Sequence, residues 1–571
     1  MGFLSLLSAL LAVNAVWAQS VDSYIATEGP VAKAGLLANI GSSGSKSSGA
    51  KPGIVIASPS TKDPNYLFTW TRDSSLVYKV IVDQFTTGVD NSLRGHIDNF
   101  VNSQKVLQQV SNPSGTVTTG GLGEPKFNID QTAFTESWGR PQRDGPALRS
   151  TALITWGNYL SAHNNATYVT SQLWPILKLD LDYVANSWNQ TGFDLWEEIS
   201  SSSFFTTAVQ HRSLREGAAL ATSLGQSAAA AEYTTQADNA LCFLQSYWNP
   251  SASRVTANTG GGRSGRDANT VLASIHTFDP AAGCDAATFQ PCSDKALASL
   301  YDYVNAFRSI YAINSGIPAN QAVATGRYPE DVYMGGHPWY LTTLAVAEQL
   351  YDALIVWKKQ GSITVTPISQ PFFASLSPGA ATGTFAASSS TFTTLTTAVK
   401  TFADGFVAKV AQFTPSNGAL AEQYNRNNGQ PLSAADLTWS YASVLTAFSA
   451  RAGTVPASWG AAGVKVPASC QRSEGKSVSV TFNVQATTQF GENIFLTGSA
   501  DALQSWSPDN ALALNADRYP TWSVTVNLPA NAAIEYKYIR KFNGAVTWES
   551  DPNMRLTTPS SGSFTVNDSW R

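Results

Sequence analysis

The chain has 571 residues, 43% of them hydrophobic and only 13% charged, with a formal net charge of −4. That length exceeds one ordinary core and predicts two domains. Mild acidity and the lack of a basic run exclude nucleic acid and anionic membrane as natural partners.

The first residues, MGFLSLLSALLAVNAVWA, form a short apolar run ending in small side chains. This predicts a secretory signal over 1–18, cleaved before Gln19, although no basic residue precedes the run. The alternative, a membrane anchor, needs a longer span, so no membrane association is expected. From Gln19 to Cys470 the readable segments are helical. Tyr340–Gln360 has apolar residues three and four apart and basic residues at its end. Similar stretches run from Arg215 to Trp248, Thr393 to Phe413 and Leu437 to Arg451. Between them lie Gly- and Ser-rich loops, Asn112–Phe127 and Asn258–Thr270 among them, of a length that is usually functional.

Sequons at Asn165, Asn189 and Asn567 fit an exported glycoprotein. Four cysteines, Cys242, Cys284, Cys292 and Cys470, allow three pairings that spacing does not separate. A Cys284–Cys292 bond would close a short loop, leaving Cys242 to tie back Cys470. With no CxxC pair and 5 His, no metal is expected. After Ser473 the period changes to two. Val478, Val480, Phe482 and Val484 alternate with polar neighbours, as do Trp522, Val524, Val526 and Leu528. An antiparallel β domain over 477–571 follows, joined by a short linker at 471–476.

Two acidic stretches suggest chemistry. GFDLWEEI (192–199) sets Asp194, Glu197 and Glu198 among Phe193, Leu195, Trp196 and Ile199. Carboxylates in such company are paired, hydrogen-bonded or raised in pKa, and a raised pKa suits a general acid. A surface-facing helix end is the plainer alternative. The second stretch, SNGALAEQYNRNNG, carries Glu422. Glycoside hydrolysis requires two such carboxyls flanking one bond. Clusters holding Tyr66, Arg72 and Asp73, then Trp138, then Arg327, Asp331 and Trp339 mix charge with aromatic rings. Arg and carboxylate suit sugar hydroxyls, and aromatic faces suit sugar C–H faces.

In the order TWTRD, SWGRPQRDGPALR, DLWEE, GRYPED, LAEQY, LTWSYA the sequence resembles glycoside hydrolase family 15, the fungal glucoamylases, over essentially the whole mature chain. The resemblance implies a mainly α catalytic domain over 19–470, an (α/α)6 barrel of six inner and six outer helices with a dead-end pocket. It implies Glu197 as general acid and Glu422 as general base of an inverting reaction. The expected product is β-D-glucose from the non-reducing ends of starch and maltooligosaccharides, from α-1,4 bonds mainly and α-1,6 bonds more slowly. Arg72, Asp73, Arg327 and Asp331 would grip sugar hydroxyls, and Glu198 would contact the next sugar. Tyr66, Trp138 and Trp339 would line the pocket, with no metal or organic cofactor. Two departures are Phe134, where many relatives carry Tyr, and YNRNNG after Glu422 in place of FDKSDG.

The tail, through TTQFGENIFLTGS, LQSWSP, EYKYIRK and VTWESDPN, resembles carbohydrate-binding module family 20. That implies a small all-β sandwich or barrel. Its first starch site would use Trp506, Lys537 and Trp548, with Glu549 and Asn553 at the edge. Tyr519 and Trp522 would form a second, where Phe490 replaces a frequent Tyr; a core position is the competing reading for Trp522. The whole is expected to be secreted, extracellular and monomeric.

Overall fold

The computed structural model describes residues 3–468, 477–530, 532–559 and 561–571. Among these, twelve helices alternate between an outer and an inner layer. In chain order they are α1 (Phe3–Ala38), α2 (Thr71–Thr86), α3 (Arg94–Leu107), α4 (Gly145–Ala162), α5 (Trp174–Ser187) and α6 (Phe204–Ser223). They continue with α7 (Ser227–Leu244), α8 (Asn269–His276), α9 (Asp294–Ala306), α10 (Tyr340–Gln360), α11 (Ser390–Phe413) and α12 (Thr438–Arg451). The even-numbered helices pack in the order α2–α4–α6–α8–α10–α12, and α12 closes back on α2. The odd-numbered helices flank this ring, α1 against α12 and α11 against α10, for example. The expected (α/α)6 barrel is therefore present.

Burial separates the two layers. In α11 the buried side chains are Phe392, Leu395, Val399, Phe402, Phe406 and Val410 with close neighbours, a single stripe at three- and four-residue spacing. In α10 every residue from Tyr340 to Leu354 is buried, as an inner helix touching neighbours on all sides requires. Lys358 and Lys359 end α10 against its negative dipole end, and Gly361 takes the left-handed conformation (φ 71°) that stops it. The stretch from Arg215 to Trp248 is two helices rather than one. The break falls at Leu224–Gln226, where Gly225 has φ 72°.

Helix α1 passes through the expected cleavage point, and its packing comes from Val21, Ala32 and Leu36 beyond it. No helix among the described residues is long and apolar enough to cross a membrane. Cys284 and Cys292 are bonded. Cys242 is also disulfide-bonded, while Cys470 and the expected linker at 471–476 lie outside the described residues.

The second unit holds β1 (Ser477–Gln485), β2 (Asn493–Gly498), β3 (Leu512–Ala513), β4 (Asn515–Arg518), β5 (Thr521–Pro529), β6 (Ala533–Phe542), β7 (Ala545–Trp548), β8 (Met554–Thr557) and β9 (Ser563–Ser569). One sheet has the order β4-β5-β1-β9 and the other β3-β2-β6-β7, with β8 also on β6. Val478, Val480, Phe482 and Val484 fill its core with Ile494, Leu496, Ile534 and Tyr538, as their alternation predicted. One pair departs from the antiparallel expectation: β1 and β9 run parallel, Ser479 beside Ser563 through Gln485 beside Ser569.

Candidate active site

Six connectors lead from an outer helix into an inner one, and they gather at one end of the ring. The connector into α6 carries DLWEE. Asp194 is fully buried, and its carboxylate accepts the backbone N–H groups of Glu198 (3.0 Å) and Ile199 (3.1 Å). Its carbonyl accepts that of Glu197 at 2.8 Å. This turn puts Glu197 at φ 67°, a conformation that costs a non-glycine residue on the order of 1 kcal/mol or more and clusters at functional sites. Successive side chains then diverge, so Glu197 and Glu198 find different partners. Trp196 is pinned separately, its indole N–H on Asp267 at 2.7 Å.

Four donors grip Glu197. The indole of Trp70 (2.7 Å), the Arg72 guanidinium (3.1 Å) and the Gln142 amide (3.1 Å) donate to Oε1. The indole of Trp138 donates to Oε2 at 2.8 Å. Arg72, expected on a sugar hydroxyl, also holds Asp144 (3.1 Å) and Gln142 (2.8 Å). Asp73 lies 3.7 Å from the Arg72 Nε. Burial pushes its pKa up to about 6 even though Arg72 opposes the shift.

Glu422 enters from the connector before α12 and is 1% exposed. Its Oε2 accepts the hydroxyl of Ser433 and the Gln423 amide, the latter at 3.1 Å. Burial raises its pKa to about 7, with Ser433, Tyr66, Arg327 and Gln423 pulling the other way. Tyr66 stands between the two carboxyls electrostatically. Its phenol is raised by burial and by the charges of both Glu422 and Glu197, and it shares a 2.7 Å hydrogen bond with Tyr333.

Glu198 belongs to a third cluster. Arg327 donates to it at 2.9 Å and Arg263 at 2.5 Å, and the Tyr328 hydroxyl donates as well. Burial alone would raise Glu198, but these partners hold it below the usual carboxylate range. Arg327 is clamped by both oxygens of Asp331, at 2.8 and 2.6 Å. Rings of Trp196, Tyr333 and Trp339 surround its guanidinium at 4.9–5.4 Å. Trp339 also bridges to Gln423 through its backbone, which ties this cluster to Glu422.

The expected catalytic and sugar-gripping residues fall on connectors into inner helices, except Arg72 and Asp73, which lie in the first turn of α2. Sequence reasoning missed Trp70, Gln142, Tyr328, Tyr333, Arg263 and Ser433 as site groups. Trp70 sat inside the TWTRD motif and Gln142 inside SWGRPQRD, so a closer reading of those motifs holds the signal. Ser433 carries none.

On the β unit, Trp548 is 40% exposed and Tyr519 50% exposed, and Trp506 is half-buried at φ 65°. Trp522 is a core residue, its indole N–H on the Ala486 carbonyl at 3.1 Å. Lys537 and Glu549 are buried: Lys537 donates to the Glu549 carbonyl (3.2 Å) and to Asp551 (2.5 Å), and Glu549 accepts the Tyr538 N–H at 3.1 Å. Asn553 donates to Glu535 at 3.0 Å. Among the sequons, Asn567 is exposed and Asn165 and Asn189 are partly so.

The model of glycosyl hydrolases family 15 matches residues 30–449, and that of the starch binding domain matches 477–568. A glucoamylase-1 of Schizophyllum commune is 62% identical across 97% of this chain and 96% of its own length. The solved glycoside hydrolase family 15 glucoamylase from Hypocrea jecorina is 49% identical, with a TM-score of 0.78 over 96% of this chain and 100% of that one. The solved glucoamylase of Hormoconis resinae is 43% identical, with a TM-score of 0.76 over 96% and 98%. On the barrel, the clustered carboxyls and these matches, the chain belongs to glycosyl hydrolases family 15 and carries a starch binding domain.

Proposed function

We propose that the chain is a secreted, exo-acting, inverting glucoamylase that releases β-D-glucose from non-reducing ends of starch and maltooligosaccharides. One observation carries the reading: Glu197 and Glu422 sit on connectors into α6 and α12, which are diametrically opposite in the ring. Two carboxyls facing each other across a site suit acid and base on opposite faces of a sugar, about 6.5–9.5 Å apart to admit a water. Glu197 gives its proton to the glycosidic oxygen as the C1–O bond breaks. Glu422 takes a proton from the water whose oxygen bonds to C1 from the other side. Inversion follows. Arg327, braced by Asp331 and Glu198, and Asp73 would hold the terminal sugars, with Tyr66, Trp138 and Trp339 as apolar walls.

The relatives named glucoamylase support the activity, and the domain match at 477–568 supports starch as the anchoring partner. Trp506 and Trp548 would stack on glucan there, with Tyr519 at a second face. The domain reading is a signal at 1–18, the barrel at 19–470, a linker at 471–476 and the binding unit at 477–571, in a monomer. Export fits a framework of Cys284–Cys292 and Cys242–Cys470.

Proton NMR of maltotriose hydrolysis, read before mutarotation, tests this. Early β-glucose is expected. Early α-glucose would overturn the role of Glu422. No glucose, with starch still bound, would leave a carbohydrate-binding protein without turnover.

A further inference from the structure

Behind Glu197 lies a cation that the scheme above does not use. Lys126 is 2% exposed. It belongs to a two-residue strand, Lys126–Phe127, paired with Thr69–Trp70 so that Lys126 stands opposite Trp70. Its ammonium lies 3.6 Å from the ring centroid of Trp138, 4.1 Å from Phe134, 4.2 Å from Phe68 and 4.7 Å from Trp70. The four rings close a box, edge to face. Phe68 meets Trp70 at 6.3 Å, Trp70 meets Trp138 at 6.0 Å, Trp138 meets Phe134 at 5.8 Å, and Phe134 meets Phe68 at 5.1 Å. Two walls of this box, Trp70 and Trp138, are the indoles that donate to Oε1 and Oε2 of Glu197.

We infer that Lys126 is a positioning residue for the general acid: its ammonium clamps the four rings and polarises the two indole N–H groups that hold Glu197. The inference rests on the reading of Glu197 as the acid. A cation over an aromatic face is attracted by the ring's negative quadrupole. It draws electron density toward that face and leaves the indole N–H a stronger donor. A stronger donor favours the ionised carboxylate, as does the cation's charge acting through space. Both effects ease release of the proton from Glu197 in the transition state. Phe134 contributes no hydroxyl, so the box wall it forms offers the ammonium only a ring face.

Other charges also face these groups. Arg72 lies against Glu197 with Asp73 and Asp144 behind it, and Tyr66 completes that side. Glu136 and Arg140 face Lys126, with Arg140 paired to Glu124 at 2.7 Å. Burial brings the Lys126 amine down to about 8, with Glu197 and Glu136 resisting, so the cation is present through the acid and neutral range.

The test is the pH profile of kcat on maltotriose for full-length Lys126→Met and Lys126→Arg. In Lys126→Met the basic limb, set by the acid, moves up by about half a unit or more, and kcat falls about tenfold. Lys126→Arg keeps the charge and returns the limb to the wild-type position. Should Lys126→Met not fold, Lys126→Gln gives the same reading. An unmoved limb, whatever the loss in kcat, makes Lys126 a packing residue and overturns the inference. A parallel Glu197→Gln separates the two failures: full activity there would sink the assignment of the acid instead.

Discussion

Tryptophan does opposite work in the two units. At the barrel mouth Trp70, Trp138 and Trp196 each donate their indole N–H to a carboxylate, at 2.7–2.8 Å. In the β unit Trp548 presents an exposed ring, Tyr519 lies half in solvent, and Phe490 is fully exposed. The first arrangement uses the polar edge of the ring to aim a charge, and the second leaves the apolar face free for a flat ligand. Trp522 shows that exposure, not residue type, makes the distinction: its N–H is satisfied inside the β core and no face is left over.

The largest effects should come from the carboxyls themselves. Glu197→Gln and Glu422→Gln are expected to lower kcat on maltotriose by about 10²–10⁴-fold, with adsorption to granular starch unchanged. Loss of adsorption in either variant would break the separation of the two jobs. Trp522→Ala comes next, as a core truncation expected to destabilise the β unit by about 3–5 kcal/mol, read from thermal unfolding of the full chain. If it weakened starch adsorption with no change in unfolding, Trp522 would be a contact residue after all.

Trp138→Phe keeps a ring but removes the N–H on Glu197 Oε2, so kcat should fall about 10–100-fold through misplacement of the acid. Trp548→Ala should weaken adsorption to granular starch about tenfold, near 1.4 kcal/mol, and leave maltotriose turnover alone. That pair of variants sharpens the contrast, since each should move one assay and spare the other.

How much of this was legible in the sequence depended on whether a feature is local. Helix α10 was readable to its ends because Lys358, Lys359 and Gly361 mark a stop. Helices α6 and α7 were run together because only Gly225 interrupts a continuous apolar period. The closed ring was not readable at all. Inner helices such as α10 are buried on nearly every side, so their apolar pattern names no neighbour. In the site, Glu197 and Glu422 stood out through their motifs, and family resemblance supplied their roles. The partners of those carboxyls did not stand out. Gln142 reaches Glu197 across 55 residues, and Arg72 across 125. Sequence marks Arg72 as a group that grips oxygen but says nothing of which oxygen it takes, and here it takes a carboxylate.

The smallest predicted effect concerns Ser433, which donates its hydroxyl to Glu422 Oε2. A hydrogen bond to the charged form favours that form, so removing it raises the carboxyl's pKa further above the ordinary 4.5. In Ser433→Ala the proposed base should ionise at higher pH, and the acidic limb of kcat/KM should move up by about half a unit to one unit. The consequence for folding has a definite sign. Burial already raises Glu422 to about 7 in the folded protein, so the folded state binds this proton more tightly than the unfolded chain. Its contribution to stability is complete below about 4.5 and is lost as pH rises through about 7. Raising the folded pKa extends that loss, so the unfolding midpoints of Ser433→Ala relative to wild type should diverge downward above pH 7. A limb that stays in place, or moves to lower pH, would mean that Ser433 does not stabilise the Glu422 carboxylate. The acidic limb would then belong to another group, with Asp73, raised to about 6 by burial, the first to test by Asp73→Asn.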